Sequence, residues 1–228
     1  MIRVVTLALC LLAAAPAAAA TDPVKAAAEA LGGAKALAGI RGLAISGSVT
    51  HWEPEQSVVP GGEARLAGES TFVLTRDLSA GAGRMEWTRK LVYPAPREYK
   101  FTEVIAGGVG YVSGVDSTNR TKQSLDSNPP QHAMSGLRVA AAMRELQRTS
   151  PRLVADLLAS PGAVSRVPDE ELNGKMLPTV SYRKGNYELE VLFDPASRLP
   201  AAVRSHDYDN NFGDSTYDLL LSDWRTVG

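Results

Sequence analysis

Alternation with period two runs through most of this chain, and one stretch breaks it. Between Met134 and Ser160, the residues Val139, Met143, Leu146, Ser150, Leu153 and Leu157 recur at spacings of four and three, which places them on one face of a helix. Ser135 and Ser150 stand where N-caps are wanted and Pro151 suits a first helical turn. The pattern therefore predicts two consecutive helices that meet at Thr149 to Pro151. Arg138, Arg144, Glu145, Arg148 and Arg152 fall on the outer face. A second small-residue helical face, Pro23 to Ala38, is interrupted by Gly32 and Gly33. The remainder reads as strand. Leu43, Ile45, Gly47 and Val49 alternate with polar or small residues, and a further strand centres on Phe72 and Leu74. Met85, Trp87 and Leu91 oppose Arg84, Glu86, Thr88 and Lys90, while Tyr99, Phe101 and Ile105 face inward beside Glu103. Gly110 to Val115 adds a short strand. After the helices, Leu177 to Arg183 and Tyr187 to Phe193 flank a Lys184-Gly185 turn, followed by strands at Ala201 to His206 and Thr216 to Val227. The expectation is about nine strands in one antiparallel sheet with the helices between its halves, an α+β arrangement.

The first twenty residues are of another kind. Arg3, an apolar run from Val4 to Leu12, an alanine-rich stretch and Ala18-Ala19-Ala20 before Thr21 form the pattern of a secretory signal peptide cleaved near Ala20/Thr21. That implies a periplasmic or secreted protein, with residues 21–228 as one domain and no stable membrane span after cleavage. The only cysteine, Cys10, lies inside the leader, where Leu9 stands in place of the small residue that lipoprotein processing prefers. The mature chain is thus expected to have no thiol, disulfide or cysteine metal ligand. A formal net charge of −1 argues against a nucleic-acid partner.

Candidate chemistry is sparse. His51, His132 and His206 are far apart and occur in no H-x-H or H-E-x-x-H spacing, so they do not announce a metal site. No serine sits in G-x-S-x-G. Asp207-x-Asp209-x-Asn211 opens like a calcium loop, but Phe212 occupies the place of the sharp-turn glycine and Asp218 that of the closing Glu, which leaves an Asx-rich turn. Glu103 is the sharper signal, because a carboxylate on an apolar strand face needs a partner. Arg144 or Arg148 on the helix is the expected one, in a structural ion pair, with a ligand-contacting carboxylate as the alternative. Trp87, Tyr99, Phe101 and Tyr111, with Tyr187 and Phe193, either line an apolar cavity or form filled core. The alanines of both helical stretches leave room beside them.

Several blocks carry a resemblance. Leu31-Gly32-Gly33-Ala34 through Ile40-Arg41-Gly42-Leu43, Phe101-Thr102-Glu103-Val104 and Gly110-Tyr111-Val112-Ser113-Gly114-Val115-Asp116 are three of them. Met134-Ser135 through Arg144-Glu145-Leu146-Gln147-Arg148-Thr149-Ser150-Pro151, and Phe193-Asp194-Pro195 with Arg198-Leu199-Pro200, are the others. Together they resemble the N-terminal region of exported metallo-β-lactamase-fold hydrolases of Gram-negative bacteria. That region is similar in layout to the LolA and LolB lipoprotein carriers, in which a curved, incomplete barrel of antiparallel strands wraps central helices. The resemblance implies a non-catalytic accessory domain, the front part of a longer protein whose C-terminal hydrolase domain would hold the zinc. The family's H-x-H-x-D-H motif is not present in this sequence, so no catalytic residue and no cofactor is assigned to it. The alternative is a free-standing periplasmic carrier that takes a lipid, lipoprotein or other apolar ligand in its concave face, at Trp87, Tyr99, Phe101, Glu103 and Tyr111. A zinc hydrolase in its own right is disfavoured by the missing ligands.

Overall fold

The computed structural model describes residues 22–53, 57–116, 121–127, 129–185, 187–209 and 213–226; the expected signal peptide lies outside them. Asp22 opens the first element. Its Oδ1 accepts from the backbone N–H groups of Val24 at 3.0 Å and Lys25 at 3.4 Å, and Pro23 takes the first helical position of α1 (Pro23–Ala30). Gly32 and Gly33, at φ of 92° and 94°, end it, and the Gly33 N–H returns to the Ala28 carbonyl at 2.7 Å. The chain restarts as α2 (Ala34–Gly39), so the glycine pair divides the face into two helices.

An antiparallel meander follows, built from β1 (Gly42–Glu53), β2 (Arg65–Asp77), β3 (Ala82–Leu91), β4 (Arg97–Ala106) and β5 (Val109–Val115). After α3 (Lys122–Ser127), β6 (Gln131–Ala133) completes it as a six-stranded sheet in sequence order. Register sets its inner face. Ile45, Leu74, Met85, Glu103 and Val112 form one cross-strand row, and Gly47, Phe72, Trp87, Phe101 and Gly114 the next. Gly114 has a φ of 103°, and a Cβ there would stand 2.3 Å from the Lys100 carbonyl oxygen. No side chain fits at that approach.

Ser135 caps α4 (Gly136–Arg148), its Oγ accepting from the Arg138 N–H at 3.3 Å, and after a turn at 149–152 the chain resumes as α5 (Leu153–Ala159). The two predicted helices and their junction are therefore present. Leu146, with Val139 and Met143, packs on Leu74, Phe101, Ile105 and Val112 of the first sheet. Leu153, Val154 and Leu157 pack on a second sheet, and each buried Leu of this kind contributes about 1.5–3 kcal/mol. The second sheet comprises β7 (Val164–Arg166), β10 (Thr179–Lys184), β11 (Tyr187–Phe193), β12 (Pro200–Asp209) and β13 (Gly213–Leu220), ordered β13-β12-β11-β10-β7. A separate ribbon pairs β8 (Glu170–Leu172) with β9 (Lys175–Leu177). Arg76 fastens the last turn of α4 to the first sheet by donating to the Leu146 carbonyl at 2.5 Å. Burial lowers the pKa of its guanidinium, opposed by the charge of Asp156.

The fold is thus α+β with antiparallel sheets, but the count and connection of strands differ from the sequence reading. Among the described residues thirteen strands lie in two main sheets and a ribbon, where the pattern suggests about nine in one sheet. Two causes are visible. Pro178 splits the strand read at Leu177 to Arg183, since proline has no N–H for the ladder. The chain also spends α4 and α5 in crossing from the edge strand β6 to the edge strand β7, so no ladder joins the sheets there. Strand β13 ends at Leu220, and Val227, read as the end of the last strand, lies outside the described residues.

Candidate functional site

Between the two sheets lies a cavity of about 880 Å³. Its first wall is the inner face of the six-stranded sheet, with Ile45, Val49, Phe72, Leu74, Met85, Trp87 and Ile105. The opposite wall is Val203, Leu219 and Leu221, and Leu31, Leu37 and Ile40 of the N-terminal helical region close in beside Trp224. Ala141 and Ala142 line the hollow where larger side chains would narrow it, while Gly83 lets Leu146 pack closely on β3, a Cβ there standing 3.0 Å from Leu146 Cδ2. The lining is overwhelmingly apolar.

Its polar residues form a stripe along α4. Arg138 Nε and Nη2 donate to Glu103 Oε1 at 2.8 and 2.7 Å, and Trp87 Nε1 donates to Glu103 Oε2 at 3.1 Å. Arg138 Nη1 also donates to the carboxylate of Asp116, which is only 1 % exposed, and the guanidinium lies 5.8 Å from the Phe101 ring centre. One arginine therefore bridges two carboxylates across an aromatic ring. Burial works against its charge, but the hydrogen bond to Asp116 and the charge of Glu103 outweigh that, and its pKa is raised. Further along the helix, Arg148 pairs with Glu145 and reaches Ser205 Oγ at 3.4 Å.

Several sequence expectations need correction here. Glu103 does face inward and does meet an arginine of the helical stretch, but that arginine is Arg138. Arg144 pairs with Asp207 and Arg148 with Glu145. The reason is helical phase: Arg138, Glu145 and Arg148 form a second face of α4, turned to the cavity, which the two-sided reading had assigned to solvent. Tyr111 is not on the concave face. It is 59 % exposed, because the register sets Val112 opposite Glu103 and leaves Tyr111 beside Val104 on the outside. Tyr99 and Phe101 are buried in the packing of the first sheet and do not line the cavity, and Phe193 is buried under α5. Of the proposed ligand contacts, Trp87 and Glu103 reach the cavity. Sequence reading missed Asp116 and Arg138. A face recurring at Arg138, Ala141, Ala142, Glu145 and Arg148 was the available signal, at the same spacings as the face that was found.

The histidines are separately engaged. His51 Nε2 lies 2.6 Å from Ser70 Oγ, His132 Nδ1 lies 2.7 Å from the Pro129 carbonyl, and His206 lies 3.5 Å from Glu190. Among the described residues no group of three or more His, Cys, Asp or Glu is placed to hold a metal. In the Asp207-x-Asp209-x-Asn211 segment, Asp207 and Asp209 belong to β12 and pair in register with Ser215 and Gly213, whereas Asn211 lies outside the described residues. No described helix is long and apolar enough to cross a membrane. Comparison of the chain with family models, curated proteins and solved structures finds no match.

Proposed function

We propose that this protein is an exported binding module with a LolA/LolB-like layout, which holds an acyl chain or a similarly shaped apolar ligand between its two sheets. One observation carries the reading, the apolar cavity of about 880 Å³. Its size is that of sites which enclose small organic ligands, roughly 300–1,000 Å³. A second hollow of about 890 Å³, beside α1, supports the choice by contrast, since Asp22, Lys25, Arg166, Asp194 and Arg198 mix charges into its wall. Two antiparallel sheets around packed helices support the carrier-like layout. The same cavity serves either setting, a free-standing periplasmic carrier or an accessory domain in front of a zinc hydrolase domain. The reading assigns no chemical step to this chain.

The test is titration of the purified protein with uncharged 1-anilinonaphthalene, followed by its blue-shifted emission and by quenching of tryptophan, since Trp87 and Trp224 both line the cavity. Saturable binding that Ala142→Trp weakens by at least about tenfold, at unchanged folded-state circular dichroism, is the expected result. A native protein that does not bind the dye, or a filled variant that binds it equally well, returns the hollow to imperfect packing.

A further inference from the structure

The polar stripe of the cavity contains as many cations as anions. Glu103 and Glu145 line the cavity with Arg138 and Arg148, and each carboxylate is already held by its arginine. Asp116, the remaining carboxylate on Arg138, is buried and is not part of the cavity wall. A ligand head group with a charge of its own would lose its water on entering and find each opposite charge in the wall already paired.

A neutral head group meets a different wall. A guanidinium donates from every N–H and accepts nothing, so pairing with a carboxylate leaves donors over. Arg148 gives Nη2 to Glu145 and Nη1 to Ser205, and its Nε is buried out of reach of the cavity, so what it can offer a ligand is the second N–H of each terminal amino group. Arg138 is committed through Nε, Nη1 and Nη2 with one contact from each of those nitrogens to a given carboxylate, and its two terminal amino groups each carry a further N–H. The stripe therefore presents donor capacity in which each cation is already paired with a carboxylate. Among lipid-like groups, that combination suits the carbonyl oxygen of an ester, a strong acceptor that brings no charge.

We infer that the cavity selects an uncharged long-chain acyl ester over the corresponding carboxylate or ammonium amphiphile. The chain lies against Ile45, Val49, Leu74 and Leu219, and the ester carbonyl accepts from Arg138 or Arg148. The inference rests on the cavity being the ligand site, and it adds the class of ligand.

The experiment is competition against bound 1-anilinonaphthalene by four compounds that share one long alkyl chain: the hydrocarbon, the methyl ester, the carboxylate and the trimethylammonium salt. Each is used below its aggregation concentration at pH 7.5. The methyl ester should displace the dye at roughly tenfold lower concentration than either charged compound, and at lower concentration than the hydrocarbon. In Glu145→Gln, Arg148 loses its counter-charge, and the carboxylate-to-ester ratio measured within that variant should move about tenfold toward the carboxylate. If the dye binds the parent but the carboxylate competes as well as the ester, or if the ratio does not move in Glu145→Gln, the charge selection is wrong while the cavity remains a binding site. If the dye does not bind at all, the site assignment itself fails, and this inference with it.

Discussion

Arg138→Met should destabilise the protein much more than Glu103→Gln, although the two residues form one pair. The asymmetry follows from who shares whom. Arg138 holds both Glu103, whose side chain is 17 % exposed, and Asp116, which is 1 % exposed, while its own side chain is 24 % exposed. Methionine keeps most of the stem's packing over Phe101 and removes the cation from both acids at once. Breaking a buried pair in this way costs about 3–5 kcal/mol, since the carboxylates stay behind without it. In Glu103→Gln Arg138 keeps Asp116, and the single amide oxygen can accept from Arg138 or from Trp87 Nε1 but not from both, so the loss is the charge and one side of this bonding, about 1.5–3 kcal/mol. A chain of this size loses about 2–4 °C in Tm per kcal/mol, which puts Arg138→Met roughly 10 °C below the parent and Glu103→Gln nearer 5 °C. Thermal melts and urea titrations at pH 7 measure both variants, and the double variant Glu103→Gln/Arg138→Met should lose less than the sum of the two. Arg138→Met melting within about 2 °C of the parent would refute the argument, because the triad would then be a surface contact in all but appearance.

The other predictions concern backbone and titration. Gly114→Ala puts a methyl group 2.3 Å from the Lys100 carbonyl at a left-handed φ, and should cost upward of about 2 kcal/mol, read as a lower urea midpoint; an unchanged midpoint means the strands can part there freely. Burial first, then the charge of Arg89, lowers the pKa of His51, against an opposing effect of Glu53. With the folded value below the ordinary 6.5, the unfolded chain binds the extra proton first, so stability falls as pH drops below about 6.5. The Tm difference between parent and His51→Gln should therefore shift against the parent between pH 7.5 and 5.5, and a difference independent of pH counts against this placement of His51.

Elements whose burial is one-sided were legible in the sequence. On β1, Leu43, Ile45, Gly47, Val49 and His51 are the less exposed positions, as alternation alone predicts. Ser135, Pro151 and the apolar positions of the helical stretch located α4, α5 and the break between them, because caps and periodicity act within a few residues of chain. What stayed hidden was long-range. The short strands β7, β8 and β9 have three residues each, too few to show a period, and they exist because β10 and each other supply their hydrogen bonds. Tyr111 shows the same limit at one residue: Gly110 to Val115 reads equally well in either phase, and the pairing of Glu103 with Val112 is what decides it.

The site divides along the same line. That Glu103 is turned inward and needs a cation follows from its place between Phe101 and Ile105, and the structure supplies the cation from the helix the sequence pointed to. Choosing Arg138 over Arg144 or Arg148 required knowing that α4 is covered on more than one side. It packs Leu146 against the first sheet and turns Arg138, Glu145 and Arg148 toward a space bounded by the second. A helix between two sheets does not have one wet face and one dry face, so charges on its apparent outer side can be enclosed, and enclosed charges persist only as pairs. The cavity and its ion pairs are then two results of one arrangement. Small residues at Ala141 and Ala142 leave the space unfilled, and the arginine–carboxylate pairs let the helix present its polar face to it.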